Sequence, residues 1–259
     1  MNAISVLAII LFFLLILIAG RQGLKSFIGL VLNFLVIFLL IILINWQFNP
    51  YLVTAILAVV ILAIAIYLSS DRITVMNIAF KTSLMVVACL MILAIGVQHF
   101  GQLQGFAVEN SDELEGLSLN VGIAFGNLAM IVMVISVLGA VAEAAMAITA
   151  DLFEVIERSP QITVQGLQAQ AHIIGQQILG TAINTLFFGM LGSNLPLLIW
   201  FLRLRYSPAL LVNAKLLLME IVTMLLGMLG ILLSIWLASW LVVHTFKNKG
   251  RSLIDETDL

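Results

Sequence analysis

Glu143 ends a long apolar run in "VLGAVAEAAMAITADLFEVIERSP", and Asp151, Glu154 and Glu157 follow it. At about 100° per residue their offsets from Glu143 fall near 80°, 20° and 320°, so one helix would carry all four acids on a face. A carboxylate inside a bilayer can hold a cation or carry a proton. It costs roughly 2.5–3.5 kcal/mol to insert, so it usually faces a bundle interior or a wet cavity. Glu143, flanked by Ala142, Ala144 and Ala145 and one turn after Gly139, is the candidate for such a group. The other three acids read as a solvated face. Leu152, Phe153, Val155 and Ile156 form the apolar side of the same short helix, closed by "SP" and lying on the membrane or on partner helices.

Two more constellations have useful spacing. In "AHIIGQQILGTAINTLFFGMLGSNLP", His172, Gln176, Gly180 and Asn184 recur every four residues, with Gln177, Thr181 and Thr185 one step on. On a helix these are adjacent rows, a polar stripe containing a glycine. It reads either as helix packing through small and amide residues or as the lining of a substrate or ion path. In "MEIVTMLLGMLGILLS", Glu220, Thr223, Gly227, Gly230 and Ser234 lie on one side of a helix. There a carboxylate leads a glycine seam, either as a cation or proton site or at headgroup level. Lys81, with Asn77 one turn before it, can snorkel to the interface or pair with a buried acid. Asn33 and Asn127 read as packing amides, and Gly122 and Gly126 as a "GxxxG" of close helix approach.

The elements that must position these groups are membrane helices. The chain has 259 residues, 63% hydrophobic and 9% charged, whereas globular domains average about 25% charged. Segments of about 20 apolar residues cross a bilayer core. The apolar runs give spans at 3–20, 27–46, 51–69, 74–97, 119–142, 172–191 and 220–244, with a polar tail at 247–259. The expected fold is therefore all-α, a polytopic transmembrane bundle of about seven spans forming one integral membrane domain. Pro50, Pro160, Pro196 and Pro208 fall at or outside span ends, as a missing N–H requires. The run "SNLPLLIWFLRLRYSP" is short for a span. It leaves open a re-entrant or half-helix element near 193–206, or a segment at the interface.

Arg21 follows the first apolar run and no basic residue precedes it, the charge order of a retained span with its N-terminus outside. Arg21, Lys25, Arg72, Arg158, Lys247, Lys249 and Arg251 then fall inside, and the acidic loop 98–118 outside. Arg203, Arg205 and Lys215 run against that pattern. A net charge of −2 disfavours nucleic acid as partner, and the single Cys89 allows no disulfide framework. His99, His172 and His244 are far apart in sequence, and no zinc-protease, hydrolase or P-loop motif occurs. Neither a catalytic set, a metal site nor a cofactor is implied, and the lipid bilayer is the first expected partner.

Three stretches, "GAVAEAAMAI" (139–148), "IGQQILGTAINTL" with "GSNLPLL" (174–198) and "EIVTMLLGMLG" (220–230), resemble the YibE/F family of bacterial multi-span membrane proteins. The resemblance runs in order from about 120 to 240, while the first half agrees in hydropathy. In that family an aspartate is usual where Glu143 stands, and another acid where Gln177 stands. Glu143 keeps the charge; Gln177 keeps only hydrogen bonding. The resemblance implies an integral membrane permease or transporter, with no set substrate. Longer relatives carry an extracytoplasmic domain, so this chain looks like a short form that pairs with a longer one or with itself.

The combined expectation is a transporter-like protein, or a subunit of one, in a bacterial cytoplasmic membrane and not an enzyme. Its site would lie between the fifth, sixth and seventh spans. Glu143 and Glu220 would take the ion, while Gln176, Gln177, Thr181 and Asn184 orient substrate. Gly139, Gly180, Gly227 and Gly230 would serve as structural glycines, and half-helices meeting at "GMLGSNLP" would suit such a site. Two rivals remain. "AEAAMAITADLF" bears a faint resemblance to the coupling helix of ABC-type permeases, though it lacks the following glycine. An intramembrane enzyme acting on lipid-linked substrates would need a nucleophile or metal set. The topology is directly testable with single cysteines in a Cys89→Ala background. Loop 98–118 should label from outside and Leu259 from inside; labelling of both from one side would overturn the arrangement.

Overall fold

The computed structural model of the protein describes residues 3–101, 103, 125–159 and 161–249. Most of the acidic loop (Glu109, Asp112, Glu113, Glu115), the start of the fifth span with Gly122, Pro160, and the tail from 250 with Arg251 lie outside the described residues. Among the described residues every regular element is a helix: α1 (Ala3–Asn45), α2 (Pro50–Tyr67), α3 (Ile73–Gly101), α4 (Phe125–Arg158), α5 (Val164–Arg203), α6 (Pro208–Asn213) and α7 (Lys215–Lys249). Six of them, all but α6, are long and apolar enough to cross a membrane.

The first two expected spans are two helical arms joined directly at a kink and given one label here, α1. At Gly20 the backbone takes φ 55° and ψ −127°, a conformation open to glycine and strained for other residues. The chain reverses there. Phe12 and Phe27, which a straight helix would hold roughly 22 Å apart, meet edge-on with ring centroids 4.9 Å apart. Gly23 lies against the Leu15 carbonyl, where a Cβ would collide with backbone. The corner replaces the loop expected at 21–26. Arg21, Gln22, Lys25 and Ser26 cluster at the corner, while the arms expose aliphatic side chains nearly throughout.

Local chemistry sets the other helix ends. The Asn49 side chain caps α2, accepting from the amides of Tyr51 (3.0 Å) and Leu52 (3.4 Å), and Pro50 begins the helix without a donor to satisfy. Thr163 caps α5 by accepting from Gly166 N at 3.1 Å. The ends of α1 and α5 share one device: Gln47 and Arg205 adopt positive φ (59° and 54°). This lets Phe48 N reach Leu43 O and Tyr206 N reach Phe201 O.

Three helices overshoot a bilayer. α4, α5 and α7 contain 34, 40 and 35 residues, against about 20 needed to cross. This corrects the expectation near 193–206. The segment neither re-enters nor forms a separate half-helix; it is the C-terminal part of α5, continuous through Pro196 to Arg203. Pro196 is therefore inside a helix, not at its end. The stretch holding Asp151, Glu154 and Glu157 is likewise not a separate short helix but the last turns of α4. Its apolar side, Leu152, Phe153 and Ile156, is buried in a cluster with Val75, Leu167 and Val242, on partner helices.

α4 and α7 form the centre, with α2 and α3 against α4 and with α5 along α7. Two glycines of α7 permit close crossings. A Cβ on Gly227 would sit 2.9 Å from Leu186 Cδ1, and one on Gly230 2.8 Å from both Leu90 Cδ1 and Val141 Cγ2. Counting both arms of α1, the described residues run the length of the bundle seven times, so Ala3 and the end of α7 lie on opposite faces. One face gathers the Gly20 corner, the 68–72 loop and the end of α4. There Gln22 Nε2 donates to Leu68 O at 3.0 Å, Lys25 pairs with Asp71, and Arg72 Nη1 pairs with Glu157 Oε1 at 2.8 Å. Glu154 pairs with Arg158 on the same face. The Gly20 corner yields a prediction. Gly20→Ala should strain the reversal by about 1–3 kcal/mol and lower thermal stability. It should also slow disulfide formation between cysteines placed at Phe12 and Phe27 in a Cys89→Ala background. Unchanged cross-linking and stability would show that residue 20 does not set the turn.

Candidate functional site

The polar residues singled out in the sequence do not converge on one place. Glu143 lies on the outer side of α4, in a groove of about 520 Å³ between that helix and the end of α2. Ser69 and Ser70 form its polar rim, and Gly139, Ala142, Ala147 and Ala150 its narrow walls. Small side chains at one-turn spacing along α4 leave the groove open, and nothing lies within 4 Å of a Cβ built on Gly139. Glu143 is exposed, and no described residue pairs with it. It lies about 21 Å along α4 from the ion-paired Glu157, at 1.5 Å per residue.

The α5 row is in a second place. Leu167, Ala171 and Gly175 face inward, and a Cβ on Gly175 would meet Ile235 of α7 at 2.8 Å. This inner line turns His172, Gln176, Gln177, Gly180, Thr181, Asn184 and Thr185 outward, and all seven are exposed. Within the single chain the row does not face the space between α4, α5 and α7, where the site was expected. Periodicity told which residues share the face, and the small inner residues decided which way it points. The upper part of the row borders a groove of about 570 Å³ between α5 and α7, where Gln168, His172 and Gln176 meet Ser239, Trp236 and Trp240. His172 Nε2 and Gln176 Nε2 are 3.2 Å apart, and the Trp240 ring stacks on His244 at 5.3 Å.

Glu220 is in a third place, near the opposite end. Asn194 Nδ2 donates to its Oε2 at 3.2 Å and to Met190 O at 3.1 Å, tying α5 to α7. Glu220 is five residues into α7 and half-buried. Asn194 stands in "GSNLP", and only the continuation of α5 through that segment brings it to Glu220. Of the two lone amides, Asn127 packs with a partner, its Oδ1 accepting from Tyr51 Oη (2.9 Å), while Asn33 Oδ1 is buried with no hydrogen-bond partner among the described residues; Asn77 Oδ1 accepts from Tyr67 Oη (2.8 Å). Lys81 is exposed. Ser69, Ser70, Trp236 and Ser239 carry no sequence signal, since only the packing of α2 on α4 and of α5 on α7 brings them to the grooves.

The four glycines divide in two. Gly227 and Gly230 are filled against by neighbours, whereas Gly139 and Gly180 have nothing within 4 Å. The first pair is structural within this chain; the second pair opens the Glu143 groove and notches the α5 row. Among the described residues no group of three or more metal-ligating side chains gathers.

The match to known proteins extends further than the three stretches that carried the resemblance. A family model described as YibE/F-like protein matches residues 7–248, including the α1 hairpin and the helices that build both grooves. No curated protein and no solved structure matches the chain. With a match over nearly its whole length and six helices long and apolar enough to span a bilayer, the chain is a multi-pass membrane protein that belongs to the YibE/F-like family.

Proposed function

We propose that the protein is a transporter-like membrane protein, or the membrane subunit of a transporter, in which Glu143 takes up a proton or small cation. The observation that carries this reading is the Glu143 groove. A carboxylate with no partner among the described residues stands among alanines and an open glycine, below a rim of two serines. A charged group on an apolar helix is costly and is usually kept for binding or translocation. The serine hydroxyls add donors and acceptors for a hydrated ion or a polar substrate at the same mouth. The face holding Lys25, Arg72 and Arg158 would be cytoplasmic by the bias of basic residues, placing the N-terminus outside and the C-terminus inside a bacterial cytoplasmic membrane. The groove would then open toward the cytoplasmic side. Glu220, held by Asn194 near the other end, would be a structural tie and not the second ion site.

The test is flux through the purified protein in sealed vesicles, driven by a potassium diffusion potential and read by a trapped pH- or sodium-sensitive dye. Wild type should admit protons or sodium, Glu143→Gln should lose at least tenfold in rate, and Glu143→Asp should keep most of it. A Glu143→Gln protein that is folded and as fast as wild type would overturn the reading, as would a wild type that admits neither ion. Glu220→Gln should leave the rate within about twofold and lower thermal stability by about 1–3 kcal/mol, the cost of a weakened, partly buried tie.

A further inference from the structure

The outward row on α5 lies level with the apolar middle of α7. Gly175 packs on Ile235, and Leu186 packs on Gly227 beside Val137. Residues 175–186 are therefore level with "GMLGILLSI" of α7 and, since Gly227 meets Val137 and Gly230 meets Val141, with "VLGAVAEAAM" of α4. At that depth the outward positions of α7 are Leu225, Leu229, Leu232 and Trp236, the side chains expected against lipid. The outward positions of α5 are instead Gln176, Gln177, Gly180, Thr181, Asn184 and Thr185. The two threonines are satisfied by their own helix: Thr181 Oγ1 donates to Ile178 O at 3.0 Å and Thr185 Oγ1 to Thr181 O at 3.0 Å. The amides of Gln177 and Asn184 have no partner among the described residues. Hydrocarbon replaces none of the hydrogen bonds that water would give them.

We infer that this face is covered by the same face of a second copy of the chain, related by a twofold axis along the bundle and passing beside Gly180. Two copies in one membrane have the same orientation, so this axis sets each residue of the row level with its own counterpart. An amide is donor and acceptor at once, so Asn184 can pair reciprocally with Asn184 of the second copy, and Gln177 with Gln177. The row from 173 to 193 bears no charge and so offers nothing to recruit an oppositely charged partner; its hydrogen-bonding pattern is its own complement. The approach is unobstructed, because Cβ atoms on Gly180, Gly189 and Gly192 would meet nothing within 4 Å. Small residues at such positions let membrane helices come close enough for amides to bond across. In the dimer the row becomes interior, and the groove bordered by His172 and Gln176 opens beside the junction. None of this depends on the role of Glu143.

Cysteine cross-linking of the full chain tests the arrangement. In a Cys89→Ala background reconstituted at low protein-to-lipid ratio, Gly180→Cys and Asn184→Cys should form intermolecular disulfides on mild oxidation, at least tenfold faster than Leu225→Cys or Leu229→Cys on the lipid face of α7. Cross-linking at 180 and 184 no faster than at 225 would overturn the proposal. The mass of the reconstituted wild type should be that of a dimer, and a monomer, or a complex held only by another protein, would also overturn it. Gly180→Leu fills open space in the single chain. It should leave the helical content and thermal unfolding of the monomer unchanged while weakening dimerisation at least tenfold; undiminished dimerisation would place the contact elsewhere.

Discussion

A bilayer core supplies no hydrogen bonds, and the position of almost every polar side chain here answers to that constraint. Backbone groups are satisfied within helices. Most polar side chains take one of three routes: a partner on another helix, a carbonyl of their own helix, or an exit to the membrane surface; Asn33 Oδ1 and the hydroxyls of Thr54, Thr82, Ser83 and Ser234 are buried with no hydrogen-bond partner among the described residues. Asn127 and Asn77 take the first with Tyr51 and Tyr67, Thr149 and Thr223 the second with Ala145 O and Met219 O, and Lys25 and Arg72 the third among acids at the surface. Exposed ion pairs of the last kind contribute about 0–1 kcal/mol each. They mark the level of the membrane face more than they hold the bundle together.

Cohesion in such a medium comes from close packing, because lipid tails are as apolar as leucine and burial alone gains little between helices. α7 shows how this is met. Gly227 and Gly230 admit Leu186, Leu90 and Val141 to the helix axis, so one seam gathers α3, α4 and α5. The α1 hairpin uses the opposite strategy. It packs lightly, exposes its aliphatic side chains, and is tied at the corner by Gln22 and Lys25 to the 68–72 loop. A peripheral hairpin and a glycine-seamed centre imply unequal stability across the bundle, lowest at the N-terminal arm.

Hydropathy made the helical class and the up-and-down path legible, because a long apolar run has few alternatives in a membrane. It failed where a helix continued beyond the apolar run. "SNLPLLIWFLRLRYSP" is too short for a span that ends at the bilayer edge, yet α5 extends through it. Gly20 closes an apolar run, and nothing in composition distinguishes an ending glycine from one at φ 55° inside a reversal. The candidate residues were legible as groups and not as a site. A period of 3.6 says that Gln176, Gly180 and Asn184 share a face. Which neighbour that face meets depends on Ala171 and Gly175 packing against α7, a tertiary fact.

The glycines separate what the chain completes by itself from what it leaves open. In a helix each glycine costs about 1 kcal/mol relative to alanine, and at Gly227 and Gly230 the close crossings offset that cost. Gly139 and Gly180 obtain no such contact within 4 Å. Beside them stand Glu143, Gln177 and Asn184, polar groups that no described residue pairs with. Elsewhere the same chain pairs Asn77, Asn127, Asn194 and Glu220 within itself. An open glycine next to unpaired polar groups occurs on two faces, one narrow and acidic, the other a neutral row of amides and hydroxyls. Their chemistry differs as their occupants should: a carboxylate suits an ion that comes and goes, whereas self-complementary amides suit a permanent neighbour of the same kind.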